Sequence, residues 1–327
     1  MRRINLFQKG FHIPKGLIFK KGLISRIPIK KIFQTFFIAL LFSSISFPQN
    51  GEIINYYPNK IIKEILNYKD GKLNGVCFYY NEKGIISKIA NYSSNKLNGE
   101  YYSYNNNGVL QEYLNYKFDI FNGPFARYYD IGSLKEKGNY KDGKFDGKYY
   151  TYYENGGLKS FYNFVEGKAY EYYENGNVFA ELNYVNNSKV GVMKFFYPSG
   201  QLKSEYNYAQ GALNGLSKEY FENGSVSVEK NFFYDKPDGE YKIYYENGKL
   251  KSLTNYKKGF KDGKCFTYYE NGNLWTEQNY VKNILDGEIK TYRDDGTLWS
   301  IEVYQNGKIV KSKEYSPKGK LISEKSY

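Results

Sequence analysis

The segment Glu240–Asp262, EYKIYYENGKLKSLTNYKKGFKD, stands between Gly239 and Gly263 and contains the unit from which most of the chain is built. Gly248, in its Glu-Asn-Gly turn, lies nine residues after Gly239. The same nine-residue spacing of glycines recurs along the chain, and successive pairs are 24 residues apart except for one step of 20. A period in this range is typical of an array of supersecondary units rather than of a globular domain.

The turn position of this unit is occupied by ten glycines: Gly84, Gly108, Gly132, Gly156, Gly176, Gly200, Gly224, Gly248, Gly272 and Gly296. A first copy has Lys60 at this position, and a divergent last copy has Gly319. Four residues before the turn position the side chain is aromatic in all twelve copies, and two residues after it the side chain is aliphatic. Runs of Tyr, Phe, Thr and Ile between glycine-containing turns are typical of short strands, so each copy is predicted to form a β-hairpin.

The spacing of the aromatic and aliphatic positions also predicts the turn type. A two-residue Asn-Gly loop would place Tyr244 and Leu250 on opposite faces of the hairpin. A three-residue loop, a type I turn closed by a left-handed glycine in a G1 bulge, pairs Tyr244 with Leu250 instead. We therefore predict the three-residue loop, with Tyr244, Leu250 and Tyr256 on one face. The second turn of the unit, as in residues 141–147, is predicted to be looser, because the 20-residue copy lacks four residues there.

The repeated hairpins predict an all-β fold. We expect an elongated array of about twelve antiparallel β-hairpin repeats that form one long sheet, with a length of roughly 115 Å. Aromatic and aliphatic ladders on one face would supply the burial that an isolated hairpin lacks. A parallel β-solenoid is the alternative, and it is disfavoured because tight turns reverse the chain. The predicted domains are a leader, residues 1–46, and a repeat array, residues 47–327.

The leader differs from the array in charge, since residues 1–46 contain nine Lys or Arg and no Asp or Glu. Removing these nine from the 47 basic residues leaves 38 against 34 acidic residues, so the net charge of the remainder is +4 instead of +13. A weak net charge spread over a long array does not indicate a nucleic-acid-binding protein.

The order of residue types in the leader predicts an export signal. Two lysines precede the apolar run of residues 32–42, IFQTFFIALLF, and serines follow it. This order is typical of a signal peptide, predicted as a helix, and the run is short for a membrane span. We expect cleavage near Ser46 and export to the periplasm, the envelope or the medium. An uncleaved N-terminal anchor is the alternative, and a translation start nearer Ile29 would explain the long basic leader.

Residues that support common enzyme chemistry are scarce. The single histidine is His12, so the repeats contain no Ser-His-Asp or Cys-His arrangement and no histidine metal site. Cys77 and Cys265 occupy the same position of two repeats, on the order of 75 Å apart in an extended stack. We predict that they are buried or half-buried free thiols, with an interchain disulfide as the alternative. The chain is thus predicted to be a non-enzyme without cofactor or metal ion.

The acidic turn residues and the aromatic residues could indicate binding of calcium and of nucleic acid or glycans, respectively. The spacing of Asp142, Asp146 and Glu154 matches neither an EF-hand loop nor a glycine-rich calcium nonapeptide, and turn chemistry explains these residues without a metal. The dense aromatic residues could stack on nucleic acid or on glycans. Their strict registry with Leu and Gly favours a packing ladder.

Three large aromatic residues, Phe179, Trp275 and Trp299, lie three residues after the turn position, where lysine is usual. The two tryptophans are in consecutive repeats, which predicts a separation of about 10 Å on the face opposite the leucine ladder. Exposed aromatic side chains in register would form a ligand platform. The alternative is that they cover the C-terminal end of the sheet.

The unit N-Y-x-x-G-x-x-x-G-x-x-x-x-Y-Y-E-N-G-x-L, as in Asn255 to Leu274, resembles the MORN repeat variant of bacterial proteins, which are often labelled YwqK-type antitoxins. The resemblance covers residues 51–327. It implies an elongated β-hairpin array used for protein scaffolding, for lipid or membrane association or for toxin neutralisation. With an export signal, it implies a secreted binding or adhesion scaffold with a protein or cell-surface partner. The alternative is the antitoxin of a toxin–antitoxin system, with a toxin as partner.

Overall fold

The computed structural model describes residues 50–327, which form one open sheet of thirty strands. These residues belong to a single unit, Phe47–Tyr327. All strand pairs are antiparallel and join strands that are near neighbours along the chain. This confirms the predicted hairpin array and shows that the parallel solenoid is wrong. The predicted signal helix, within residues 1–46, lies outside the described residues.

Each of the twelve repeats contributes two long strands, and six two-residue strands lie in the connections between them. The strands are β1 Asn50–Tyr56, β2 Ile62–Lys69, β3 Lys72–Leu73, β4 Gly75–Tyr80, β5 Ile86–Ser93, β6 Lys96–Tyr104, β7 Leu110–Lys117, β8 Ile120–Phe121, β9 Gly123–Tyr128, β10 Leu134–Lys141, β11 Lys144–Phe145, β12 Lys148–Tyr152, β13 Leu158–Asn163, β14 Lys168–Tyr172, β15 Val178–Val185, β16 Ser188–Lys189, β17 Gly191–Phe196, β18 Leu202–Ala209, β19 Ala212–Leu213, β20 Gly215–Tyr220, β21 Val226–Phe233, β22 Lys236–Tyr244, β23 Leu250–Lys257, β24 Phe260–Tyr268, β25 Leu274–Val281, β26 Ile284–Leu285, β27 Gly287–Tyr292, β28 Leu298–Gln305, β29 Lys308–Tyr315 and β30 Leu321–Ser326. No helix among residues 50–327 has the length and apolar character needed to cross a membrane.

The Glu-Asn-Gly turn has the predicted three-residue loop. Between β22 and β23, the Gly248 amide donates to the Tyr245 carbonyl at 2.9 Å and the Tyr245 amide donates to the Lys249 carbonyl at 2.8 Å. Tyr244 pairs with Leu250, and the equivalent aromatic and aliphatic residues pair in all twelve hairpins. Gly248 has a φ of +82°, a left-handed conformation that costs glycine no side-chain clash.

A β-bulge directly after this turn makes the predicted placement of Tyr256 wrong. Tyr244 pairs with the residue two positions after the turn glycine, but Ile243 pairs with Ser252, so Lys251 has no partner on the neighbouring strand. Because side chains alternate along a strand, one extra residue exchanges the faces of everything beyond it. Tyr256 therefore lies on the face opposite Tyr244.

The second turn is tighter than predicted. Lys141 pairs with Lys144, which leaves Asp142 and Gly143 as a two-residue loop with φ values of +49° and +79°. Positive φ at both central residues defines a type I′ turn, whose twist matches that of a hairpin. The same pair of positive angles recurs in ten turns. The 20-residue copy has the loop 164–167 instead, and its Glu-Asn-Gly hairpin is intact, as predicted.

The two faces of the sheet differ in burial. We call the face that carries Tyr241, Ser252 and Tyr256 face A, and the face that carries Lys242 and Tyr244 face B. The buried residues of face A are Leu66, Cys77, Ala90, Leu114, Phe125, Ser160, Ala169, Ala180, Met193, Ser204, Ser217, Cys265 and Ile289. Most of them are small and are covered by aromatic neighbours, so face A holds the core of the array.

Candidate functional site

In seven of the twelve hairpins, a tyrosine three residues before the turn position joins the repeat to the next. The Tyr245 hydroxyl donates to the carbonyl oxygen of Tyr268 in the following repeat at 2.8 Å. Equivalent bonds of 2.7–2.9 Å are made by Tyr57, Tyr129, Tyr153, Tyr173, Tyr197 and Tyr269. Arg293 takes the same role and donates to the Tyr315 carbonyl at 2.6 Å. These connecting tyrosines were not predicted from the sequence, although the repeated Tyr-Tyr before Glu-Asn-Gly was the available signal.

Phe221 occupies the connecting position without a hydroxyl, which provides a matched pair of substitutions. We expect Tyr245→Phe to lower the free energy of unfolding by about 1 kcal/mol, because the Tyr268 carbonyl loses a half-buried hydrogen bond. Phe221→Tyr is expected to change it in the opposite direction. Urea denaturation of the two variants and the wild type measures both effects. Identical unfolding curves for all three proteins would show that the hydroxyl does not join the repeats.

The three predicted platform residues, Phe179, Trp275 and Trp299, occupy the unpaired bulge position of their hairpins. The Trp275 ring lies 5.6 Å from Tyr269, and the Phe179 ring lies 5.2 Å from Tyr173. Each of these two rings therefore covers the connecting tyrosine of its own hairpin. Both tryptophans are 45% exposed. The structure places the three residues on separate hairpins, and their role in binding a ligand stays a prediction.

Both cysteines are buried on face A, as predicted. Cys77 is fully buried and Cys265 is 6% exposed, and neither forms a disulfide within residues 50–327. Burial raises the pKa of the Cys77 thiol, which disfavours the reactive thiolate. Among residues 50–327 no group of three or more His, Cys, Asp and Glu side chains is close enough to hold a metal ion.

The pair Tyr241 and Thr254, with the equivalent pair of every other hairpin, forms the central column of face A. The polarity of this column changes along the array. Up to β18 its paired positions are apolar or aromatic: Cys77, Ala90, Tyr101, Leu114, Phe125, Gly138, Tyr149, Tyr162, Ala169, Leu182, Met193 and Tyr206. From β20 to β25 the same positions are mostly polar: Ser217, Lys230, Tyr241, Thr254, Cys265 and Gln278. Thr254 and Gln278 stand where Leu114 and Leu182 fill the earlier repeats.

Two adjoining clefts open in this polar part of face A. The first has a volume of about 290 Å³, and its walls include Tyr241, Thr254, Tyr256, Lys261, Gln278 and Tyr280. The second has a volume of about 230 Å³ and shares Tyr241 and Tyr256 with the first. Burial raises the pKa values of Tyr256 and Tyr280, so both phenols remain protonated donors at neutral pH. We call the two clefts together the polar groove.

Nine segments of the chain match the family model described as MORN repeat variant: residues 49–70, 97–118, 145–164, 165–186, 189–210, 213–233, 237–258, 261–282 and 285–306. The chain belongs to the MORN repeat variant family. Each matched MORN segment contains one hairpin with a turn of the Glu-Asn-Gly type. The hairpins at Gly84, Gly132 and Gly319 lie outside the matched segments but keep the same register.

Comparison with other proteins adds little to the family match. No curated protein matches the chain. Similar solved structures include "Crystal Structure of TcdB2-TccC3", 11% identical with a TM-score of 0.19, and "Crystal Structure of TcdB2-TccC3-Cdc42", 12% identical with a TM-score of 0.17. Both alignments cover 84% of this chain and 18% of the other, so the chain spans less than a fifth of their length. TM-scores this low support no conclusion about function.

Face B of the MORN array has an apolar part and a charged part. Its central column begins with Phe78, Ile89, Tyr102, Tyr113, Ala126, Lys137, Tyr150, Phe161 and Tyr170. It continues with alternating charges: Glu181, Lys194, Glu205, Lys218, Glu229 and Lys242. Lys218 lies 3.0 Å from Glu229 and Lys194 lies 3.7 Å from Glu205, so the charged part is largely neutralised within the sheet.

Proposed function

We propose that this MORN repeat variant protein is an exported, non-enzymatic binding or adhesion scaffold whose partner is a protein, an envelope component or a host surface. The observation that carries the proposal is the periodicity of the two faces, because equivalent positions recur with every 24-residue repeat of one sheet. A partner with a repeating surface can contact several repeats at once. Weak contacts at a fixed spacing then add up through effective concentration.

The surface chemistry of face B supports a protein or envelope partner over a nucleic acid. Aromatic and aliphatic side chains on neighbouring strands, such as Phe161 and Tyr170, are only half-buried. Amphipathic aromatic rings of this kind provide contact area at low entropic cost. The neighbouring lysines Lys194 and Lys218 are paired with glutamates, so they do not form the one-sided basic surface that phosphate binding requires.

The leader supports export, since its basic, apolar and small residues follow the order of a signal peptide. Fractionation of the producing cells into cytoplasm, envelope and medium tests this part of the proposal. We expect the protein in the envelope or the medium, with an N-terminus near Ser46 by mass spectrometry. A full-length protein that is confined to the cytoplasm would overturn the scaffold proposal.

The same experiment examines the second candidate, a YwqK-type antitoxin, which the resemblance of the repeat unit implies. An antitoxin acts in the cytoplasm of the producing cell and requires a toxin encoded beside it. Rescue of growth when the cytoplasmic protein is produced together with the product of a neighbouring gene would support this candidate.

A further inference from the structure

We propose that the polar groove of face A binds a saccharide chain that carries carboxylate groups, which would be the ligand class of the scaffold proposed above. The inference rests on that proposed function, because it assumes that the array is a binding protein. The groove consists of two clefts that share Tyr241 and Tyr256, so a ligand that fills both is elongated. Each cleft is smaller than the pockets of about 300–1,000 Å³ that drug-sized ligands occupy. A saccharide chain with one sugar ring in each cleft fits the two volumes.

The aromatic side chains of the groove contact lysines more than other rings: the ammonium groups of Lys230 and Lys261 lie 5.1 Å and 5.2 Å from the ring centres of Tyr241 and Tyr280. In the earlier repeats the rings of face A stack on one another, as Tyr140 and Phe145 do at 4.7 Å. In the groove, Tyr241 and Tyr256 make a single ring contact at 6.0 Å, and Tyr280 makes no ring contact within residues 50–327. The flat face of a tyrosine suits the apolar C–H face of a pyranose, while the ring hydroxyls of the sugar need polar partners.

The polar side chains of the groove are unexpected for a packing column. At the equivalent position of an earlier repeat, the apolar side chain of Leu114 is buried and only 3% exposed. Here Thr254 and Gln278 leave open space and present a hydroxyl and an amide. The Gln278 side-chain oxygen Oε1 accepts from the Tyr280 hydroxyl at 3.1 Å, and the side-chain nitrogen donates no hydrogen bond within residues 50–327. Polar groups in a partly buried column are costly without partners, which favours a ligand with hydroxyl groups.

The charge of the groove selects an acidic ligand. Lys261 lies 5.2 Å from the Tyr280 ring centre, and within residues 50–327 its ammonium group is not within 4 Å of any carboxylate. The other lysine of the groove, Lys230, is paired with Glu219 at 3.1 Å. An ammonium group that is held beside an aromatic ring, with no carboxylate partner within residues 50–327, favours a carboxylate on the sugar.

Isothermal titration of the full chain with a hyaluronan hexasaccharide, and with cellohexaose as the neutral comparison, tests the proposal. Thr254→Leu fills the groove with the side chain that Leu114 supplies earlier, and Lys261→Gln removes the unpaired cation. We expect each change to weaken binding of the acidic hexasaccharide by roughly tenfold or more. The matched control Lys203→Gln, at a lysine 5.5 Å from the Tyr197 ring, is expected to leave binding unchanged.

Urea denaturation shows whether each variant is folded, and we expect Thr254→Leu to be at least as stable as the wild type because it restores an apolar column. If Thr254→Leu does not fold, Lys261→Gln alone decides. No binding of the hexasaccharide by the wild type, equal binding of cellohexaose, or binding that both substitutions leave intact would overturn the proposal. The scaffold proposal is decided separately by cell fractionation, since an exported protein without this affinity contradicts only the saccharide groove.

Discussion

Gly123→Ala is expected to lower the free energy of unfolding by about 3 kcal/mol, because the added Cβ would be both strained and crowded. Gly123 has a φ of +114°, and a Cβ built there would lie 3.0 Å from the Cβ of Asn115. Asn115 cannot easily move away, because its side-chain amide donates to the Pro124 carbonyl at 2.8 Å. Urea denaturation of the single variant measures the loss.

The turn glycine Gly248 provides the control. Its φ is +82°, and a Cβ built there meets no atom within 4 Å. A lysine already occupies the equivalent position in the first hairpin, where Lys60 has a φ of +67°. We therefore expect Gly248→Asn to cost less than about 1 kcal/mol. Equal losses for Gly123→Ala and Gly248→Asn would contradict the distinction between the two kinds of glycine.

Arg127→Met is expected to lower the free energy of unfolding at neutral pH by about 2 kcal/mol, since it leaves two glutamates on face A without their cation. The guanidinium lies 3.0 Å from Glu112 and 2.6 Å from Glu136, and the Tyr149 hydroxyl also donates to Glu136. The three charged side chains are 17–35% exposed, so solvent screens part of the interaction. Thermal or urea denaturation at several pH values measures the effect.

The stability difference between the wild type and Arg127→Met depends on pH through the carboxyl group of Glu136. Burial alone would raise the pKa of its carboxyl, but hydrogen bonds from Tyr149 and Arg127 outweigh burial and hold the pKa below its ordinary value. A lowered pKa in the folded state gives a stabilisation that is complete above the ordinary glutamate pKa of about 4.3 and disappears as the pH falls through the folded value. The gap between the wild type and Arg127→Met should therefore narrow in acid. A gap that is constant from neutral pH into acid would contradict the ion-pair explanation.

The sequence predicted the hairpins and their turns because the backbone requirements repeat. Gly248 recurs where φ is positive, and Tyr244 and Leu250 recur where a three-residue loop pairs them. The β-bulge at Lys251 could not be predicted in this way, because a lysine is equally acceptable in a regular strand. Because the bulge was not predicted, the strict alternation of side chains placed Tyr256 on the face of Tyr244, which is wrong.

The candidate groove was not predictable from individual residues. Thr254 and Gln278 are ordinary residues for a half-exposed strand, and nothing nearby in the sequence marks them. The repeat aligns them with Leu114 and Leu182, since all four lie six residues after a turn glycine, but only the pairing register with its bulge shows that this position lies on face A. The network around Arg127 was missed for the same reason, because its partners come from the strands on both sides.

The fold depends on a pairing register that repeats with each hairpin, and a pair of internal deletions within a 24-residue repeat tests this register most directly. Removal of residues 229–252 joins Val228 to Leu253 and keeps every later side chain on its face. Removal of residues 229–251 joins Val228 to Ser252 and exchanges the faces beyond the junction. Amide dispersion in two-dimensional NMR spectra, together with cooperative urea unfolding, reports whether each chain folds. We expect the 24-residue deletion to stay folded and the 23-residue deletion to lose its fold or aggregate. Equal behaviour of the two proteins, both folded or both unfolded, would contradict the repeating register.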